Sequence, residues 1–163
     1  MHSRIFQVSL QPVKKEDYAV SSDFYDNSSD FADYIGDELD GTERMENIGY
    51  LAEVLSDIFD FNKRSRVLVY KGEEAMKKFK EAWAAAIREK AEVLTADTIL
   101  DWHKRYQVEK LCRKTHLDTC YRFCIVDWCD GVAEPMEDLI SFVAERMKQG
   151  DKLYVGAVID YHF

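Results

Sequence analysis

The spacing of apolar and polar residues predicts four β-strands in this chain. Over residues 4–10, Phe6, Val8 and Leu10 lie on one face and Gln7 and Ser9 on the other, which is typical of a half-buried strand. Residues 66–70 are rich in strand-forming side chains and are bounded by polar segments, and residues 121–128 form a further predicted strand that an Asp-Gly turn at residues 130–131 ends. Residues 153–161 are apolar on both faces, so we expect them to form a central strand of the sheet.

Apolar residues at helical spacing predict helices between these strands. The first is short and places Phe31, Tyr34 and Ile35 on one side, after a capping Ser28 or Ser29. The other helices are predicted over about residues 42–58, 73–92, 95–117 and 136–147, with Thr42, Gly72, Thr95 and Pro135 at their starts. The resulting order, β-α-α-β-α-α-β-α-β, predicts an α+β fold with a small mixed sheet of about four strands and helices packed on it.

Length and composition favour a single domain over residues 1–163. With 163 residues, of which 47% are hydrophobic and 13% aromatic, the chain can bury a core of its own. It has two prolines and seven glycines, too few for a Pro/Gly-rich linker. Residues 1–10 lack the pattern of a secretory signal, and no apolar run approaches the ~20 residues of a membrane span. We therefore expect a cytoplasmic protein whose four cysteines are reduced thiols.

The acidic residues are concentrated in one part of the chain. The net charge is −9, but residues 16–62 alone contain 14 acids and a single base, Arg44. Residues 63–122 contain nine acids and fifteen bases. Although some of these bases could touch phosphate, the acidic balance of the whole molecule disfavours direct binding of DNA or RNA.

Familiar catalytic motifs are absent from the sequence. It contains no nucleophile elbow, no phosphate-binding loop, no dinucleotide-binding glycine pattern and no zinc-protease motif. We therefore predict no enzyme, no catalytic residue, no cofactor and no metal. One alternative remains, a metal- or thiol-dependent protein centred on residues 112–129, although the spacing there lacks the close cysteine pairs of structural zinc sites. Its members are Cys112, His116, Cys120, Cys124 and Cys129.

The acidic segment instead predicts a docking surface for a strongly basic protein. Its carboxylates recur every three to four residues and aromatic side chains lie among them. Such a surface steers a basic nucleic-acid-binding protein toward it and fits where nucleic acid would otherwise lie. The alternative is a solvated face that only keeps the protein soluble. The predicted partner-binding residues are Asp23, Phe24, Tyr25, Asp26, Asp30, Asp33, Asp37, Glu38, Asp40, Glu43 and Glu46.

Three short stretches resemble small acidic proteins of mobile elements and phages of gut bacteria. They are Met-His-Ser-Arg-Ile-Phe-Gln-Val at residues 1–8, Asp-Phe-Ala-Asp-Tyr-Ile-Gly at residues 30–36, and Val-Ile-Asp-Tyr-His-Phe at residues 158–163. That group includes anti-CRISPR proteins, which inhibit RNA-guided nucleases of type II. The resemblance implies an inhibitor in the cytoplasm of a bacterial host cell, with a CRISPR effector nuclease as its partner. Such nucleases hold nucleic acid in a basic channel, which an acidic protein would block.

The sequence therefore leads us to expect a non-enzymatic inhibitor of a bacterial defence nuclease that uses nucleic-acid mimicry. The first alternative is an accessory or regulatory protein of a mobile element whose acidic face is merely solvated. The second is the metal- or thiol-dependent protein described above. We expect no membrane partner. Self-association is conceivable, because the basic residues of segment 63–122 could meet the acidic segment of another copy, or the two could meet within one fold.

Overall fold

A computed structural model of the protein describes residues 1–27, 30–117, 119–126, 128 and 132–163. The side chains of Asn27 and Arg113 also lie outside this description. Three features expected from the sequence fall on residues that are not described: the helix cap at Ser28 or Ser29, Cys129, and the turn at residues 130–131.

The structure is α+β, as the sequence predicts, and it is built on a seven-stranded mixed sheet. The strands follow the order β3-β4-β7-β1-β5-β6, and β2 pairs with β7 beside β4. Strand β1 runs parallel to β5 and antiparallel to β7. The strands are β1 (His2–Ser9), β2 (Tyr34–Glu38), β3 (Phe59–Asn62), β4 (Val67–Tyr70), β5 (Arg122–Ile125), β6 (Glu134–Pro135) and β7 (Lys152–His162).

The central position predicted for the last strand is confirmed. Strand β7 pairs with β1 along one side, and on the other side it pairs with β4 near its beginning and with β2 near its end. This arrangement explains why the predicted short helix around Phe31, Tyr34 and Ile35 is wrong. Strand β4 covers only Lys152–Tyr154 of that side, and β2 hydrogen-bonds to the part of β7 that β4 leaves open.

The expected sheet of about four strands is too small, and the expected order of elements differs accordingly. Besides β2, the sequence reading missed β3, which pairs with β4 in a hairpin, and the two-residue β6, which pairs with β5. Both are short strands whose pairing depends on a neighbour that local periodicity does not reveal. The helices are α1 (Gly41–Val54), α2 (Glu73–Ala91), α3 (Trp102–Arg113) and α4 (Met136–Arg146), and two 3₁₀ segments cover Lys15–Asp17 and Ser21–Asn27.

Helix α3 begins later than predicted. Asp101, not Thr95, caps it, because the Asp101 carboxylate accepts from the backbone N–H groups of His103 and Lys104. Thr95 belongs to a turn in which Thr98 donates its hydroxyl to the Val93 carbonyl. The expected apolar stripe on this helix is also wrong, since His103 and its aromatic neighbours are exposed.

Both faces of the sheet are covered, so β1 is not the half-buried strand that its alternation predicts. On the first face, α1 packs against alternate residues of the central strands, among them Phe6 and Phe123. On the second face, Ile5 and Tyr161 pack with Phe24, which comes from the second 3₁₀ segment. The residues between β1 and α1 therefore cross from one face of the sheet, past its β2 edge, to the other.

A buried glutamine attaches this crossing segment to the sheet. The Gln7 side chain is 6% exposed. Its Nε2 donates to the Asp17 carbonyl at 2.9 Å, and its Oε1 accepts from the N–H of Ala19 at 3.1 Å and of Ala157 at 3.0 Å. One amide thereby joins the segment to β7, and the N–H groups of Ala19 and Ala157 would be buried without partners if it were absent.

The position of Gln7 requires glycine at residue 156. A Cβ atom built on Gly156 would lie 2.3 Å from Gln7 Oε1 and 2.9 Å from its Cδ. Gly156 is buried and lies where the register between β1 and β7 shifts by one residue. This bulge brings the Ala157 N–H to Gln7 and leaves the space that the amide occupies.

No helix among the described residues is long and apolar enough to cross a lipid bilayer.

We predict that Gly156→Ala lowers the free energy of unfolding by about 2–4 kcal/mol, because the new methyl group displaces the Gln7 amide and leaves its partners unsatisfied. Urea denaturation followed by circular dichroism measures the change. Gly49→Ala is the matched control. Nothing lies within 4 Å of a Cβ atom at Gly49, which is inside α1, so this variant should be more stable than the wild type by about 0.5–1 kcal/mol. Equal stability of Gly156→Ala and the wild type would contradict the role given to Gln7.

Candidate functional site: an acidic surface around the β2 edge

The nine predicted carboxylates are all exposed, but they do not form one helical face. Asp23 and Asp26 lie on the second 3₁₀ segment, and Asp30 and Asp33 lie between it and β2. The others follow along β2 and into the first turns of α1, and they are Asp37, Glu38, Asp40, Glu43 and Glu46. We call this set, which winds around the β2 edge of the sheet, the acidic surface.

Four of these carboxylates also stabilise the local backbone. Asp40 caps α1 by accepting from the N–H groups of Thr42 and Glu43, so the expected cap at Thr42 is displaced by two residues. Asp23 accepts from the Val20 N–H at 2.9 Å.

The other two of the four hold the ends of β2. Glu38 accepts from the Ser21 N–H at 3.1 Å and thereby connects β2 to the second 3₁₀ segment. Asp33 Oδ1 lies 2.7 Å from His162 Nδ1 at the end of β7, and this hydrogen bond lowers the pKa of Asp33. The acidic surface thus has a fixed backbone beneath it.

Arg44, the one base of segment 16–62, points toward the sheet. Its Nε and Nη2 donate to the carbonyls of Gly156 and Val155, each at 2.6 Å, and its guanidinium lies 5.2 Å from the centre of the Tyr18 ring. Burial lowers the pKa of Arg44, although a guanidinium remains charged at any physiological pH. The single positive charge therefore stabilises the bulge in β7 and does not neutralise the outer surface.

Exposed tyrosines lie among the carboxylates, whereas one of the two aromatic residues predicted to contact a partner is buried. Tyr25 is 57% exposed, as predicted for a docking residue, whereas Phe24 is 1% exposed and packs in the core of the second face. Phe24 therefore does not contribute to the acidic surface. The sequence analysis did not select Tyr34 and Tyr50, which are 62% and 55% exposed. The first was assigned to a helix that does not exist, and the second lies in α1 among apolar residues.

A groove lies beside the middle of the acidic surface, at Glu38 and Asp40. It has a volume of about 600 Å³ and lies between the first 3₁₀ segment and the start of α1. The acids Glu16, Glu38 and Asp40 line it together with two bases, Lys15 and Arg44. The acidic surface therefore offers a partner a concave region as well as an exposed edge.

The cysteine cluster does not assemble into one site in the described part of the chain. Cys112 is exposed on α3, Cys120 is half-buried, and Cys124 is buried among the apolar residues of the second face. The fourth member, His116, packs its ring 4.7 Å from that of Phe79, and burial lowers its pKa. No group of three or more potential metal ligands is found among the described residues. The helix predicted over residues 95–117 ends at Arg113, so one helical face cannot collect them.

A small polar cavity lies near the beginning of α4. Its volume is about 130 Å³. Glu137 Oε1 is buried there without a hydrogen-bond partner, and so is the hydroxyl of Thr119. Burial is the main cause that raises the pKa of Glu137. Besides these two residues, the walls include Lys114, Cys120, Tyr121, Arg122 and Tyr161.

No protein-family model, no curated protein and no solved structure matches this chain. What the acidic surface does must therefore be inferred from its own charge and geometry.

We predict that Arg44→Met lowers the free energy of unfolding by about 2–4 kcal/mol, because two buried carbonyls lose charged donors. Urea denaturation measures this loss. Arg88→Met, on an exposed part of α2, is the control and should change stability by less than about 0.5 kcal/mol. A loss at Arg44 no larger than at Arg88 would mean that these hydrogen bonds contribute nothing to the fold.

We predict that Glu137→Gln makes the protein more stable at neutral pH. Because the pKa of Glu137 is raised in the folded protein, the folded state holds this proton more tightly than the unfolded chain. Its contribution is therefore most favourable below the unfolded pKa and is lost as the pH rises through the folded pKa. A neutral glutamine removes that loss. Urea denaturation at several pH values should give a stability difference that is small near pH 4 and grows toward pH 7. A pH-independent difference would exclude titration of Glu137 as its cause.

Proposed function

We propose that this protein is a non-enzymatic inhibitor that docks its acidic surface onto a basic, nucleic-acid-binding protein. The observation that carries the proposal is the exposure of nine carboxylates along one continuous segment while its single base, Arg44, points inward. The segment therefore has no outward base of its own; Lys14 and Lys71, which lie outside it, pair with Glu16 and Asp60, and neither acid is among the nine.

The arrangement fits a channel that normally holds nucleic acid. A basic groove is lined by arginine and lysine side chains that bind phosphates, and exposed carboxylates on a fixed backbone can take the place of those phosphates. Tyr25, Tyr34 and Tyr50 add apolar area beside the charges. Aromatic side chains contribute much of the affinity of protein interfaces, while the charges mainly accelerate and orient the encounter.

The partner that we propose is the effector nuclease of a type II CRISPR system, in the cytoplasm of a bacterial host. This choice follows from the resemblance of three short stretches to proteins of phages and mobile elements, a group that includes anti-CRISPR proteins. Such effectors read a short duplex motif through arginines and hold a heteroduplex in a positively charged channel. An acidic protein bound there excludes DNA without breaking any covalent bond, so no catalytic residue is needed.

The test is a charge reversal on the acidic surface. The variant Asp26→Lys/Asp37→Lys/Glu43→Lys/Glu46→Lys changes four acids that neither cap a backbone group nor bond to His162. Binding to a panel of purified type II effectors, with and without guide RNA, is measured by pull-down and by DNA cleavage at low and high salt. We expect the wild type to bind at least one effector and to inhibit it, and the variant to lose binding by a factor of about 100 or more.

The control variant makes the same change in net charge elsewhere on the molecule. It carries lysine at four other exposed acids, Glu81, Glu89, Glu92 and Glu145. We expect it to bind like the wild type, apart from a small general effect of charge. If both variants bind equally well, the acidic surface is not the docking site. If the wild type binds no effector, the proposed partner is wrong and the acidic surface has the solvating role expected of an accessory protein.

A further inference from the structure

The cavity of about 130 Å³ near the beginning of α4 brings together side chains from distant parts of the chain. Thr119 lies between α3 and β5, Arg122 is the first residue of β5, Glu137 belongs to the first turn of α4, and Tyr161 comes from β7. Lys114 also lines the cavity and is exposed, so the cavity reaches the solvent at its side. We call it the α4 cavity.

Two polar side chains of the α4 cavity lack the hydrogen bonds that burial normally requires. Glu137 Oε1 and the hydroxyl of Thr119 are both shielded from solvent, and neither has a hydrogen-bond partner among the described residues. A buried polar group without a partner lowers the stability of the folded protein, and the loss is larger for a charged carboxylate than for a hydroxyl. The partner of these two groups must therefore come from a molecule that enters the cavity.

Opposite charges line the α4 cavity but do not pair with one another. In the described part of the chain, no ion pair involves Lys114, Arg122 or Glu137. The guanidinium carbon of Arg122 lies 4.6 Å from the centre of the Phe31 ring, and Nη1 donates a long hydrogen bond of 3.4 Å to the Ala133 carbonyl. Burial raises the pKa of Glu137 more than the nearby charges of Lys114 and Arg122 lower it, so these charges do not compensate its carboxylate.

This combination of side chains selects a small ligand that carries charges of both signs. Lys114 and Arg122 repel a ligand that is only cationic, and the Glu137 carboxylate repels one that is only anionic. A zwitterion places its ammonium group at Glu137 and its carboxylate at Arg122, whose planar guanidinium binds carboxylates through two parallel hydrogen bonds. One water molecule occupies about 30 Å³ in the liquid, so the cavity has room for about four waters or for one ligand without a long side chain.

We propose that the α4 cavity binds a small α-amino acid, of the size of glycine, alanine or serine. Glu137 accepts hydrogen bonds from the ammonium group of the ligand, Arg122 donates to its carboxylate, and the Thr119 hydroxyl gains a polar partner. Among the residues that line the cavity, none belongs to the nine carboxylates of the acidic surface. The site is therefore separate from the surface proposed to dock on a basic protein.

The effect of Glu137 on stability agrees with this role. We expect its carboxylate to make the free protein less stable at neutral pH, because it is buried without a partner. Residues that serve binding often lower the stability of the free protein in this way, since their partner is the ligand. An ammonium group bound at Glu137 compensates the buried charge, so the ligand stabilises the folded state.

Isothermal titration calorimetry of the full chain at neutral pH tests the site, with glycine, L-alanine and L-serine as separate probes. We expect at least one of them to bind with a Kd of about 1 mM or lower, which is within reach of so small a ligand. Propionate, which is alanine without the ammonium group, and ethylamine, which is alanine without the carboxylate, are the matched control ligands. Each should bind at least about tenfold more weakly than the best of the three amino acids, because it leaves one charge of the cavity without a partner.

Two variants locate the binding in the α4 cavity. Glu137→Gln removes the negative charge and should weaken binding of the amino acid at least about tenfold. Since this variant is expected to be more stable than the wild type at neutral pH, unfolding does not explain such a loss. Arg122→Lys keeps a positive charge but lacks the planar fork, so it should also weaken binding. Glu145→Gln changes an exposed acid of the same helix outside the cavity and should bind like the wild type.

Three other results would overturn the proposal. If none of the three amino acids binds with a Kd below about 1 mM, the cavity holds only water. If propionate or ethylamine binds as tightly as the best amino acid, the site recognises a single charge and not a zwitterion. If Glu137→Gln binds as tightly as the wild type, the amino acid binds elsewhere. None of these measurements uses a nuclease, so their outcome is independent of the proposed inhibitor function.

Discussion

The acidic surface depends on a single buried amide. Gln7 sits in the middle of β1 and bonds both to β7 and to the segment that carries the first acids. This amide holds the backbone of residues 17–19 against the sheet, next to the buried side chain of Ala19, and Phe24 packs further along on the same face. Gly156 makes room for the amide, and Arg44 satisfies the carbonyls of the same bulge from the other side. Three residues distant in sequence thus fix the course of the acidic segment.

This construction separates the charges that stabilise the fold from those available to a partner. Arg44 is used inside, against backbone carbonyls, whereas the carboxylates lie outside, where several of them cap a helix or a turn. Exposed like charges repel one another and cost some stability, so a surface this acidic is tolerated only on a backbone held by other forces. A second outer region, at the end of the hairpin of α2 and α3, instead exposes large apolar side chains such as Leu100 and Trp102. The molecule therefore has two chemically distinct outer regions on one scaffold.

The sequence predicted well those strands and helices whose buried residues form a clear apolar pattern of their own. Strands β1 and β7, helix α2 and helix α4 all appear near the expected positions, because each carries a long apolar run or stripe. The sequence did not predict the strands whose structure depends on a pairing partner. Strand β2 pairs with the part of β7 that β4 does not cover, and the short strands β3 and β6 pair with β4 and β5. The exposure of the acids could be predicted from charge alone. The burial of Phe24 could not be predicted, because the spacing of residues does not tell on which side of the sheet a segment lies. The direction of the Arg44 side chain, toward the carbonyls of β7, could not be predicted either.

The pairing of β1 with β7 has a consequence for biosynthesis. These two strands are the middle of the sheet, yet about 150 residues separate them in the sequence, so the central ladder has high contact order. The emerging polypeptide cannot form its central ladder until residues 152–162 have left the ribosome, and until then the apolar side of β1 has no antiparallel neighbour. The early part of the chain must therefore stay unassociated for most of its synthesis. The dense negative charge of residues 16–62 directly follows β1, and like charges on neighbouring nascent chains repel one another during that interval.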